Sequence, residues 1–145
     1  MEIIFRKTNP HQRLRGNKIA GRIWLIVIFL CLAAINVGVS VAVPYIGSYA
    51  SFFKAALFVD TIWAAVLLAA IWNRQGWARG VLAAFLLGFV AMQFLYWPVV
   101  IQDYPMFRET SMEIVLLHWA THILIAIYLL VSVDIAWLSR DEMNE

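Results

Sequence analysis

Polar and apolar positions along this chain separate into long blocks instead of alternating residue by residue. Four apolar blocks stand out, at about residues 23–43, 55–72, 80–100 and 114–138, each edged by charge or proline. An α-helix rises about 1.5 Å per residue, so about twenty apolar residues cross a hydrocarbon core of about 30 Å. The pattern therefore predicts an all-α, polytopic integral membrane protein with four transmembrane helices. Its connections are under about a dozen residues long, which makes successive helices antiparallel neighbours in an up-down-up-down bundle. A basic N-terminal arm (1–22), one membrane domain (23–138) and a short tail (139–145) account for the chain. The first block follows basic residues and precedes small ones, as a cleaved signal would. Its apolar run is longer than the about 7–15 residues of a signal, so it is read as a span.

Composition agrees. The 145 residues are 63% hydrophobic and 14% charged, with a mean hydropathy of +0.79. Soluble domains carry about 45–50% apolar and about 25% charged residues.

Charge adds direction. The net charge is only +2, but Arg6, Lys7, Arg13, Arg15, Lys18 and Arg22 all precede the first block, and Arg74 and Arg79 follow the second. By the positive-inside rule these segments stay in the cytoplasm, which puts both termini there. Within the arm, Arg13, Arg15, Lys18 and Arg22 are expected to face anionic lipid, at about 1 kcal/mol per basic residue near the surface. The arm lacks the interleaved aromatics of a nucleic-acid binder, so no nucleic-acid partner is expected. Aromatics fall at the matching depths, with Trp24, Trp72, Trp77 and Trp137 at the inner boundary and Tyr45, Tyr49, Trp97 and Tyr104 at the outer. In a general way the chain resembles the many short four-span bacterial inner-membrane proteins with an inner-loop Trp-Ala-Arg, here Trp77-Ala78-Arg79. Interface anchoring accounts for that motif, and the resemblance implies a bacterial inner-membrane location.

Two features concern packing. Cys31 is the only cysteine, which excludes an internal disulfide and is read as apolar packing. Small residues recur at Ala34, Gly38 and Ala42 and at Gly80, Ala84 and Gly88, where close helix approach is expected within the bundle or between subunits of a homo-oligomer.

Chemistry must come from the few polar side chains at depth. Counting at about 1.5 Å per residue, Asn36, Asp60, Gln93 and His122 all lie about 10–12 Å below the outer boundary, with His118 one turn above His122. Each helix would then supply one polar group to a single intramembrane layer. Such groups are costly unless partnered, and Asp60 most of all, so Asp60 and His122 are expected in contact. The layer can fix the register of the bundle, or it can bind something. His118 and His122, at i, i+4 spacing, could share a metal ion with Asp60 as third ligand. Haem is constrained further. Its axial ligands approach from opposite faces, which two histidines of one helix cannot do without a second subunit.

No catalytic signature occurs: there is no Gly-x-Ser-x-Gly elbow, no His-Glu-x-x-His and no phosphate-binding glycine loop. No cofactor is therefore expected in the leading reading, a non-enzymatic accessory, assembly or scaffold subunit acting through other membrane proteins. The alternative is a small transporter or metal- or haem-binding subunit built on Asp60, His118 and His122.

Overall fold

The computed structural model describes residues 18–42, 47–103 and 112–138. All regular structure in them is helical: α1 (Lys18–Ala42), α2 (Gly47–Trp72), α3 (Gly76–Asp103), α4 (Met112–Val131) and α5 (Val133–Leu138). The first four are each long and apolar enough to cross a membrane.

These helices outrun the apolar blocks at several ends. α1 begins at Lys18 and carries Arg22 inside it, while α2 begins at Gly47. Hydropathy marks the stretch that fits hydrocarbon, but backbone hydrogen bonding continues through good helix formers such as Lys and Arg into the interface. The fourth block, in contrast, divides. Ser132 is non-helical and its hydroxyl accepts from the Ile135 amide at 3.4 Å, which makes it the N-cap of α5. The amide of Ser132 still bonds to the Tyr128 carbonyl at 2.9 Å and its carbonyl accepts from the Ala136 amide at 3.1 Å, so the break interrupts the helix by one residue without a loop.

α2 ends in a paired C-cap. The Arg74 amide bonds to the Ile71 carbonyl and the Gln75 amide to the Ala70 carbonyl, both at 2.9 Å. Arg74 takes φ 64°, the left-handed conformation that this motif needs and that is usually filled by glycine.

The helices close into a ring, with α1 against α2 and α4, and α3 against α2 and α4; α5 packs mainly on α1. Directions follow from contacts. The Arg22 guanidinium lies 5.1 Å above the Trp72 ring, whereas Asn36 meets Asp60, so α1 and α2 run oppositely. Gln93 bonds to Trp119 and Arg79 to the Leu130 carbonyl, which sets α3 against α4 in the same sense.

The main core joins Leu25, Ile28 and Leu32 of α1 to Leu67 and Ile71 of α2, Leu82 and Leu86 of α3 and Leu129 of α4. Outside it the bundle is as apolar as within. Phe52, Phe58, Trp63, Phe94 and Leu95 are all exposed on its surface, an arrangement that lipid tolerates and water does not.

Several expectations about packing need revision. Cys31 is exposed on the outside of α1 and takes no part in the core. Gly38 meets only the Ile114 side chain, at 3.7 Å, and a Cβ on Gly80 or Gly88 would have nothing within 4 Å. The close approach is instead at Gly21, where a Cβ would come 2.9 Å from the Asp134 carbonyl oxygen and 3.4 Å from Leu138 Cβ. Regular spacing of small residues shows where a helix could be approached; which face the neighbours occupy depends on the rotation that the larger side chains impose.

Among the aromatics, Trp24, Trp72 and Trp77 are exposed. Trp97 is not: its ring is 7% exposed and lies edge-on to Trp119 at 6.0 Å between centroids. Tyr45 and Tyr104, the side chains of Tyr49 and Trp137, and Arg13 and Arg15 of the arm lie outside the described residues.

Candidate functional site

Four polar side chains meet inside the bundle. Asp60, His118 and His122 have no exposed surface and Asn36 is 4% exposed. Each arrives by simple helix geometry. Asn36 continues the buried face that Leu25, Ile28 and Leu32 define on α1, Asp60 lies between Leu57 and Ala64 on the inner face of α2, and His118 and His122 are one turn apart on α4.

Donor and acceptor roles can be assigned from the ends of the network inward. Thr61 donates its hydroxyl to the Leu57 carbonyl at 2.9 Å, so toward Asn36 it can only accept. The Asn36 amide nitrogen therefore faces Thr61 Oγ1 at 2.9 Å and Asp60 Oδ2 at 2.7 Å, and spends its two hydrogens there. This orients the Asn36 carbonyl oxygen toward His118 Nε2, 2.9 Å away, and that nitrogen must donate. On the neighbouring turn His122 Nδ1 lies 2.9 Å from the His118 backbone carbonyl, so it donates too. His122 Nε2 then faces Asp60 Oδ2 at 3.1 Å across the diagonal of the bundle. Two acceptor atoms are left over. Asp60 Oδ1 and His118 Nδ1 are buried without a hydrogen-bond partner.

The remaining wall is aromatic. Phe89 of α3 lies 5.9 Å from the His122 ring, nearly parallel, and 6.1 Å from the His118 ring, which itself sits 4.1 Å from its neighbour on α4. α3 thus gives the site a hydrocarbon face.

Of the residues expected in one layer, Asn36, Asp60, His118 and His122 come together and Gln93 does not. Gln93 accepts from Trp119 Nε1 at 2.7 Å and makes no described hydrogen bond to the network. Equal depth places groups at one level, but the rotation of α3 points Phe89 inward in its place. Thr61 was legible only as a hydroxyl beside Asp60 in mid-span. Phe89, an apolar residue in an apolar helix, carried no signal at all.

Of the expected metal pair, His118 Nδ1 is the one ring nitrogen without a hydrogen-bond partner. Three of the four imidazole nitrogens of His118 and His122 already take part in hydrogen bonds, and among the described residues no group of three or more His, Cys, Asp or Glu side chains could hold a metal ion. Two further basic residues have local roles. Arg22 covers Trp72, and Arg79 donates to the Leu130 carbonyl at 3.2 Å, close to the helix break at Ser132. No protein-family model, curated protein or solved structure matches the chain, so its function is read from this geometry alone.

Proposed function

We propose that the protein is a small multi-pass subunit of a bacterial inner membrane, non-enzymatic, acting as an accessory, assembly or scaffold component through other membrane proteins or further copies of itself. One observation carries this reading: the chemically capable side chains of the membrane interior, Asn36, Asp60, His118 and His122, are turned toward one another and make their closest polar contacts with one another. Used this way, intramembrane polar groups lock helix register at about 0.5–2 kcal/mol per contact. The outer face is left to Phe52, Trp63, Phe94, Leu95 and the open Gly80–Ala84–Gly88 stripe, a surface suited to lipid and to other helices. Both termini in the cytoplasm complete the proposal, on the strength of the basic arm and of Arg74 and Arg79.

Complementation tests it. Asp60→Asn keeps the size of the side chain and one acceptor oxygen for the Asn36 amide while removing the charge, so a folded variant should restore function in a strain lacking the protein. Loss of function in a folded variant would favour the second reading, a small transporter or cofactor-binding subunit. Its support is specific: Asp60 Oδ1 and His118 Nδ1 are buried acceptors with nothing to accept.

A further inference from the structure

The Asp60–His122 contact places two atoms that both begin as acceptors 3.1 Å apart. His122 Nδ1 is committed to the His118 carbonyl, and a carbonyl cannot donate, so that nitrogen keeps its hydrogen. A neutral His122 then has a bare lone pair on Nε2, aimed at Asp60 Oδ2. If Asp60 is a carboxylate as well, lone pair faces lone pair, and the pair carries an unneutralised negative charge among hydrocarbon. Moving the His122 hydrogen to Nε2 only transfers the clash to Nδ1 and the carbonyl at 2.9 Å. One additional proton removes both problems. It can reside on Nε2, giving an imidazolium beside a carboxylate, or on Oδ2, giving a carboxylic acid beside a neutral imidazole; in either form the pair is neutral and every close contact has a hydrogen in it.

We propose that Asp60 and His122 form a one-proton binding site at the centre of the bundle. Uptake of H⁺ from water takes the pair from a charge of −1 to zero, forms the Oδ2–H–Nε2 bridge and breaks no other bond. The described hydrogen-bond and ring contacts of the pair do not supply that proton. From α1 the facing group is the neutral amide of Asn36; α2 adds the Thr61 hydroxyl; α3 presents the Phe89 ring; α4 adds His118, whose Nε2 hydrogen is spent on Asn36. The size of the ligand is set by burial. Asp60 and His122 have no exposed surface, and the unpartnered Asp60 Oδ1 is enclosed, so a proton fits without displacing an atom, whereas a metal or an organic donor would have to open the helices. The inference holds under either reading of function, since it concerns only the composition of the site.

The test is nuclear magnetic resonance of the full chain in lipid nanodiscs, with histidine side chains labelled with ¹⁵N and aspartate carboxyls with ¹³C. The expected result at neutral pH is one exchangeable proton sensed by both His122 Nε2 and the Asp60 carboxyl, each showing an isotope shift when water is replaced by deuterium oxide. In Asp60→Asn there is no carboxyl to share a proton, so the shared signal should be lost and a neutral His122 should keep its hydrogen on Nδ1, against the His118 carbonyl, with Nε2 at the unprotonated position. An Asp60 carboxylate beside an unprotonated Nε2 in the native protein would overturn the proposal. So would displacement of the shared signal by sodium or zinc ions, which would make the ligand a metal cation. The measurement on the native chain decides the matter even if the variant does not fold.

Discussion

Asn36 and Asp60, separated by 24 residues, meet at 2.7 Å, and Asn36 is the one residue that touches every other hydrogen-bonding part of the network except His122. Its amide serves as a two-sided connector, donating to α2 and accepting from α4. Asn36→Ala should therefore unpair Asp60, Thr61 and His118 together, at a cost of about 1–3 kcal/mol in a reversible unfolding measurement in detergent micelles. A change within about 0.3 kcal/mol would mean that these groups are satisfied without it.

Asp60 and His122 should be energetically coupled. Measured alone and together, His122→Ala and Asp60→Ala should be non-additive by about 0.5–2 kcal/mol, because the first substitution already removes the shared bond. Strict additivity would remove the basis for treating the contact as one unit.

The two kinds of glycine should respond differently to alanine. Gly21→Ala forces a methyl against backbone atoms of Asp134, so repacking of α1 and α5 should cost about 1–3 kcal/mol, more than the gain of about 0.5–1 kcal/mol from replacing a helical glycine. Gly88→Ala meets nothing in the bundle and should leave the stability of an isolated monomer unchanged or slightly raised. Weakened self-association of Gly88→Ala, read by crosslinking in native membranes, would place the stripe in a subunit interface; unchanged crosslinking would leave it to lipid.

Topology is tested by reporters active only outside the cytoplasm. Fusions at Gly47 and Asp103 should be active, and those at Asn73 and the C-terminus silent. Activity at Asn73 would invert the whole arrangement.

The basic arm should act on lipid. Replacing Arg13, Arg15 and Lys18 by Gln should lower insertion efficiency or affinity for anionic vesicles, and the lost binding should shrink as salt rises, since these charges are screened. Salt-sensitive binding of nucleic acid by the arm, abolished by the same changes, would contradict this role.

What the sequence could convey was length, polarity and depth. Runs of about twenty apolar residues are sufficient to mark four membrane helices, because lipid imposes a length on any segment that crosses it. Depth also follows from counting, which is why Asn36, Asp60 and His122 could be assigned to one level in advance. Rotation does not follow from counting. In a soluble bundle a polar stripe would mark the outside of each helix, but here both faces are apolar, and the turn of α3 that buries Phe89 and sends Gln93 to Trp119 left no trace in the pattern. Trp97 was misplaced for the same reason: its depth suits an interface anchor, yet its azimuth carries it into Trp119. Gly21 escaped notice because it stands alone among charged residues, and only the return of the chain's end reveals what it accommodates.

That return has a temporal consequence. Among the described helices α1 is made first and α5 last, yet α5 packs mainly on α1, capped at its start by Ser132. A nascent chain halted before Val133 would already contain all four membrane-crossing helices, and the groove beside Gly21 would still be empty. The bundle is thus latched by α5, and the start of α1 waits until Leu138 has been made to acquire this neighbour.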